Sequence, residues 1–170
     1  MPETDYRILR RLAAVGAIPL EQRLPVLVGH GGIAPTVDAE QPGLAAGAVG
    51  NGSPVRALID AGLPGANVVQ VGVHGFSNSR THREWCESRG VQVLGPDRMG
   101  DVPALLDELA ARCKKIYVDI DLDVLDRAFA PACPGARPGG ASPRQVLDAA
   151  FAAGAHPQVR AVDIVELDPL

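Results

Sequence analysis

Short apolar runs alternate along this chain with longer stretches in which apolar residues recur every three or four positions. The short runs are rich in valine and isoleucine and predict strands, whereas the longer amphipathic stretches predict helices. Strands are expected at 24–29, 68–73, 91–94, 115–122 and 159–167. Helices are expected at 53–62, 79–90, 101–113 and 142–154.

Serine, proline and glycine mark the ends of these helices. Ser53 and Ser142 precede a proline and are expected to cap the first turn, because a serine hydroxyl accepts hydrogen bonds from free backbone N–H groups. Glycine ends a helix readily because it adopts the left-handed conformation at no steric cost. The predicted stops are Gly62, Gly90 and Gly154.

The strand and helix order predicts the fold class. Strict alternation favours a mostly parallel sheet covered by helices, which gives a three-layer α/β/α arrangement. The length of 170 residues fits a single domain over 1–170. Residues 30–52 show little periodicity and are expected to be irregular. Ligands of such sheets bind beyond the carboxyl ends of the strands.

Composition narrows the class of partners. A net charge of −4, scattered basic residues and 4% aromatic content argue against nucleic-acid binding. The three cysteines are widely spaced, which excludes a disulfide framework or a cysteine zinc site and fits a reducing cytoplasm. No apolar run is long enough to cross a membrane. We therefore expect a cytoplasmic protein that binds neither nucleic acid nor a membrane.

A cluster of aspartates carries the strongest chemical signal. Asp119, Asp121 and Asp123 alternate at the end of a predicted strand, so they are expected to share one face. Hard cations such as Mn²⁺ or Mg²⁺ prefer oxygen ligands and would cancel the repulsion between these carboxylates. The alternative is that one aspartate caps the following turn and the others are solvated. The apolar residues at 116–118 weigh against solvation.

The aspartate cluster and the loop after it resemble the signature of the ureohydrolase family, which includes arginases, agmatinases and formimidoylglutamases. In VDIDLDVLDRAFAPACPGARPGG (118–140), Asp121, Asp123 and Asp126 match the pattern Asp-x-Asp-x-x-Asp, with Arg127 where the family has proline. Two further segments, 50–76 and AVDIVELDPL (161–170), resemble other family motifs. The resemblance runs from about residue 50 to the end and implies an arginase-like, incomplete fold.

The resemblance implies hydrolysis of a guanidino or formimino C–N bond in amino-acid degradation, with two Mn²⁺ ions bridged by hydroxide. It makes Asp121 and Asp123 metal ligands and places Glu166 at the nitrogen end of the substrate. Asn51 replaces the histidine of arginases, which is closer to formimidoylglutamases and places Asn51 in the substrate pocket. Family members commonly form trimers or hexamers, so a homo-oligomer is one expectation from the resemblance, and a shortened chain that has lost this interface is the alternative.

The earlier family motifs, Gly-Gly-Asp-His and Asp-Ala-His-x-Asp, lack their usual ligands in this chain. The first corresponds to VLVGHGGIAP (26–35) and the second to DAEQP (38–42), so His30 and Asp38, with Glu40 and Asp119, are the candidates for further metal ligands. Three hypotheses remain: a Mn²⁺-dependent hydrolase, an inactive remnant with weak metal binding, and a small α/β binding module.

Four other features are interpreted without catalytic roles. His74 and His82 are expected to be surface or packing residues. Cys133 has no base partner in sequence and is not expected to be a nucleophile. Asp126 is expected to fix the loop that follows it.

Overall fold

A five-stranded parallel sheet forms the centre of the residues that the computed structural model describes, which are 26–29, 54–76 and 78–166. The strand order is β3-β2-β1-β4-β5, and each neighbouring pair is parallel. The prediction of a mostly parallel sheet is therefore confirmed. The strands are β1 (Val26–Gly29), β2 (Val68–Val71), β3 (Gln92–Leu94), β4 (Ile116–Asp121) and β5 (Val159–Val165).

Four α-helices of the described residues coincide with the four predicted ones. They are α1 (Pro54–Asp60), α2 (Arg80–Ser88), α3 (Val102–Arg112) and α4 (Pro143–Ala155). Gly62 and Gly90 follow α1 and α2 with φ of 94° and 84°, which confirms both as helix stops.

The predicted stop at Gly154 is wrong, because α4 continues through it to Ala155. His156 is the C-cap residue, and Pro157 follows it. A proline lacks the backbone N–H that would extend the helix, so it accounts for the end of α4 better than the glycine does.

Helices cover both faces of the sheet, because alternate strand residues enter two separate apolar clusters. Val69, Val71, Ile116 and Val118 pack with α3 and α4 on one face. Val68 and Tyr117 pack with α1 and α2 on the other. The described residues thus form three layers, as the alternating pattern predicted.

Strand β5 is one edge of the sheet among the described residues. Val162 and Ile164 are exposed there, as are Leu147 and Phe151 of the neighbouring α4. This edge therefore has an apolar surface that no described residue covers. No helix of the described ranges has the length and apolar character needed to cross a membrane.

Two predictions lie outside the described residues. The irregular stretch expected at 30–52 is one, and the cap at Ser53 is the other.

Candidate metal centre

Two buried carboxylates lie where β4 ends. Asp121 is the last residue of the strand, and Asp123 lies in the short 3-10 turn Leu122–Val124 that follows it. Asp121 is 4% exposed and Asp123 is 6% exposed. Burial of neighbouring carboxylates is unfavourable unless hydrogen-bond donors or a cation balance their charge. The pair is therefore a candidate cation-binding position at the carboxyl edge of the sheet.

The expected alternation of three aspartates along one strand is wrong for Asp123. Oδ1 of Asp121 accepts a 2.9 Å hydrogen bond from the backbone N–H of Asp123, so the Asp121 side chain caps the turn and the chain leaves the strand direction. Asp119 and Asp121 remain on the strand and share the face of Tyr117. The alternative that one aspartate caps the following turn is thus confirmed for Asp121. Its expectation that the other aspartates are solvated is wrong for Asp123, which is buried, as is Asp121 itself.

Asp126 organises the loop that follows the carboxylate turn, as predicted. Its side chain accepts hydrogen bonds from the backbone N–H of Ala128 at 2.8 Å and of Gly139 at 2.7 Å. These donors, with that of Ala128 first, hold the pKa of the Asp126 carboxyl below its ordinary value. The loop closes on the carboxylate pair at Gly135, where a Cβ atom would lie 2.6 Å from Oδ2 of Asp123.

His74 was expected to be a surface or packing histidine rather than a ligand, and the structure bears out the packing role, with the ring buried against the turn that carries Asp123. It is 4% exposed, and its Nε2 lies 3.2 Å from the carbonyl oxygen of Asp123. A sequence signal for this position existed: His74 follows strand β2 by three residues, which places it at the carboxyl edge where parallel sheets bind ligands. The partner could not be identified, because 49 residues separate it from Asp123.

Glu166 lies at the same edge as the carboxylate pair. It follows Val165, the last residue of β5, which is in register with Asp121. Its φ of 58° is the only positive φ of a non-glycine residue in the described ranges. That conformation costs about 1 kcal/mol or more for a residue with a side chain, and such strain is concentrated at functional sites.

Asp119 belongs to a polar row deeper in the sheet. It is half-buried and in register with Asp163 of β5, so two carboxylates are neighbours on one face. Burial, and next a hydrogen bond to Asp163, raises the pKa of the nearby Tyr117 well above its ordinary value. Asp119 therefore lies beside a second acidic residue, further from the carboxyl edge of the sheet than Asp121 is.

The thiol of Cys133 lies buried in the loop beside the carboxylates. Burial raises its pKa, and the negative charges of Asp123 and Asp121 raise it further, against the opposing effect of backbone N–H donors at Ala136 and Gly135. A thiol with a raised pKa is a poor nucleophile. The prediction that Cys133 has no nucleophilic role stays a prediction.

Three candidate site residues, His30, Asp38 and Asn51, lie outside the described residues, as does Glu40. Their proposed roles stay predictions.

The chemistry of Asp121 and Asp123 fits a hard divalent cation such as Mn²⁺, because both offer carboxylate oxygens in a buried position. The number of donors is smaller than a full coordination sphere requires. Over 54–76 and 78–166, no three histidine, cysteine, aspartate or glutamate side chains come together as a metal-binding group. Among the described residues, Asp121 and Asp123 are therefore two candidate ligands, and they do not by themselves make a complete metal centre.

Relatives with known names resemble this chain over most of its length. It is 43% identical to the formimidoylglutamase of Halalkalibacterium halodurans over 129 residues, which are 70% of this chain and 40% of that protein. The chain thus spans less than half the length of this relative.

Solved structures of similar proteins share the fold. The formimidoylglutamase of Bacillus subtilis superposes with a TM-score of 0.77 at 26% identity, over 93% of this chain and 49% of that chain. Formiminoglutamase of Trypanosoma cruzi, solved with Mn²⁺, superposes with a TM-score of 0.76 at 22% identity, over 95% of this chain and 53% of that one. The prediction of an arginase-like α/β fold is confirmed.

The sequence profile of the Arginase family matches residues 37–170, which include the carboxylate pair, the loop after it and Glu166. The resemblance seen in the aspartate motif is therefore confirmed, and this chain belongs to the arginase family.

Proposed function

We propose that this protein is a manganese-dependent hydrolase that cleaves a C–N bond of a linear amidine or guanidino compound, as formimidoylglutamases and agmatinases do. The observation that carries the proposal is the buried pair of Asp121 and Asp123 at the carboxyl edge of β4 in an arginase-family chain. The named relatives support a formimidoylglutamase-like activity, and one of them was solved with Mn²⁺.

Asp121 and Asp123 would hold Mn²⁺, with His30, Asp38 and Asp119 as candidates for further ligands. When bound, the metal lowers the pKa of a water molecule and orients that water toward the electrophilic carbon. The protein keeps both carboxylates pre-oriented, because the turn and the loop around Gly135 fix them before any cation arrives.

The remaining residues of the proposed site act on the substrate. The Glu166 carboxylate holds the cationic nitrogen end at the same sheet edge, and Asn51 contributes to the pocket. The water oxygen forms a bond to the carbon, the C–N bond breaks, and the leaving nitrogen takes a proton. A formimino substrate yields formamide and an amine, whereas a guanidino substrate yields urea and an amine.

A second candidate is an arginase-family remnant that has lost turnover and binds at most one cation weakly. It is favoured by one observation: the described residues bring no three metal-binding side chains together. The third candidate is a small α/β binding module that binds no metal.

Metal binding separates these candidates. The hydrolase should retain about two Mn²⁺ per chain after dialysis, as two-metal hydrolases do, and its melting temperature should rise with added Mn²⁺. Asp121→Asn and Asp123→Asn should each abolish that rise, because an amide offers a neutral and weaker ligand. Glu84→Gln, which changes an exposed carboxylate of α2, is the matched control and should leave it unchanged.

Absence of Mn²⁺ from the dialysed native chain would contradict the hydrolase. A single weakly held ion would favour the remnant, and a melting temperature indifferent to Mn²⁺ would favour the binding module. Release of formamide from formimino compounds, measured beside release of urea from guanidino compounds, then identifies the substrate class.

A further inference from the structure

We infer that His74 is a positioning residue of the metal centre, whose ring N–H fixes the backbone of Asp123 so that Asp121 and Asp123 present their carboxylates together. This inference rests on the proposed function, because it assigns a role in the same Mn²⁺ site. His74 does not belong to the metal ligands. It acts on them through the main chain.

The position of His74 is set by the end of β2. The strand ends at Val71, Gly72 has a φ of 88°, and the backbone N–H of Val73 donates to the carbonyl of Leu94 on β3. His74 follows with its side chain buried, and Asn78 donates a 3.1 Å hydrogen bond back to its carbonyl oxygen. The main chain at His74 is therefore held from both sides, and the ring has a defined direction.

The ring reaches across the sheet to the turn after β4. Strand β1 lies between β2 and β4, so the two strands are not neighbours. Their following segments nevertheless touch, because a Cβ at Gly72 would lie 2.1 Å from Cγ2 of Val124. His74 makes the polar contact of this junction, with Nε2 at 3.2 Å from the Asp123 carbonyl oxygen.

The direction of this hydrogen bond follows from the acceptor. A backbone carbonyl can only accept, so Nε2 of His74 must carry the hydrogen and donate it. With this bond, both polar groups of the Asp123 main chain are engaged: its N–H by Asp121 Oδ1 and its C=O by His74. The peptide units that orient the Asp123 carboxylate thus cannot rotate freely.

The other side of the ring is closed by the loop. A Cβ at Gly140 would lie 2.7 Å from Cε1 of His74 and 2.5 Å from the backbone nitrogen of Asp126. The imidazole is thus wedged between the carboxylate turn and the end of the loop that also covers Asp123 at Gly135. Groups that fix metal ligands from behind typically change metal affinity about 10- to 100-fold when they are lost.

The test measures Mn²⁺ affinity of the full 170-residue chain by electron paramagnetic resonance of free Mn²⁺. His74→Leu replaces the imidazole with an apolar side chain of similar size and so removes the hydrogen-bond donor. The Mn²⁺ affinity of this variant should fall about 10- to 100-fold. His74→Gln places an amide N–H near the Nε2 position and should restore most of the native affinity. Val73→Ala, next to His74 and buried, controls for lost packing and should keep the native affinity despite a lower melting temperature of the metal-free protein.

A second measurement uses the native chain, so it does not depend on the folding of a variant. Long-range ¹H–¹⁵N NMR of the metal-free protein should show His74 with its hydrogen on Nε2. A His74 ring with an unprotonated Nε2 would overturn the inference.

The outcomes separate this inference from the proposed function. Equal Mn²⁺ affinity in the native chain and in His74→Leu overturns the inference alone, as does an equal loss in His74→Leu and His74→Gln. Absence of Mn²⁺ binding in the native chain overturns the proposed function, and the inference with it. A loss in His74→Leu that His74→Gln restores and Val73→Ala does not reproduce supports both.

Discussion

Asp123 is held through three of its groups, and each contact comes from a different part of the chain. Asp121 binds its N–H, His74 binds its C=O, and Gly135 packs against its carboxylate. A metal ligand fixed in this way loses little conformational entropy when a cation binds, which favours affinity. The orientation of the Asp123 carboxylate therefore depends on these three neighbouring residues.

Gly135 is predicted to be essential for the geometry of the carboxylate. In Gly135→Ala the new Cβ would lie 2.6 Å from Oδ2 and 2.8 Å from Cβ of Asp123, so the loop or the carboxylate must shift. Overpacking of this kind costs about 1–3 kcal/mol. Urea unfolding should show that loss in the metal-free protein, and the stabilisation by Mn²⁺ should shrink as well.

Gly154→Ala is the matched control for this glycine substitution. Gly154 lies within α4, and no heavy atom lies within 4 Å of its ideal Cβ. Alanine should stabilise the helix by up to about 1 kcal/mol. The same methyl group should therefore have opposite effects at the two positions, and a destabilised Gly154→Ala together with an unaffected Gly135→Ala would contradict this account.

At the scale of elements, sequence periodicity predicted the strands and helices because their signals are local. Strand β4 was expected at 115–122 and is Ile116–Asp121, and α3 was expected at 101–113 and is Val102–Arg112. For the site, the sequence predicted which residues have suitable side chains, such as Asp121 and Asp123, but not the contacts that hold them. The contact of His74 with Asp123 and the packing of Gly135 arise from the folded arrangement of distant segments, which no local pattern encodes.

Helix α4 begins with a capping box in the structure, and the sequence had predicted its Ser142 cap. The hydroxyl of Ser142 accepts from the N–H of Gln145 at 3.3 Å, and Oε1 of Gln145 accepts from the N–H of Ser142 at 2.9 Å. Loss of such a cap costs about 1 kcal/mol. Ser142→Ala should therefore lower the free energy of unfolding by about that amount in urea titrations.

Arg144→Ala is the control in the same turn. Arg144 forms an ion pair with Asp148, and the two side chains are 83% and 59% exposed. Removal of such an exposed pair should change the stability little. An effect of Arg144→Ala as large as that of Ser142→Ala would contradict the expectation that the cap stabilises this end of α4 more than the surface pair does.

At the scale of the whole molecule, the three cysteines lie in three different regions and differ in their burial. Cys86 of α2 is 1% exposed in the α1 and α2 layer, and burial raises its pKa to about 11. Cys133 is 5% exposed in the loop, whereas Cys113, after α3, is half-buried. All three are free thiols, so each can report the opening of its own region.

Thiol labelling at pH 8 should therefore proceed in a defined order. Cys113 should react first, because it is the least buried of the three cysteines. Cys133 should react next, when the loop opens. Added Mn²⁺ should slow the labelling of Cys133, because a cation held by Asp121 and Asp123 would stabilise the closed loop. Cys86 should react last, with a rate that rises with urea as steeply as global unfolding does. Mass spectrometry of the labelled peptides assigns each rate, and labelling of Cys86 as fast as that of Cys113 without denaturant would contradict the packing of α2 against the sheet.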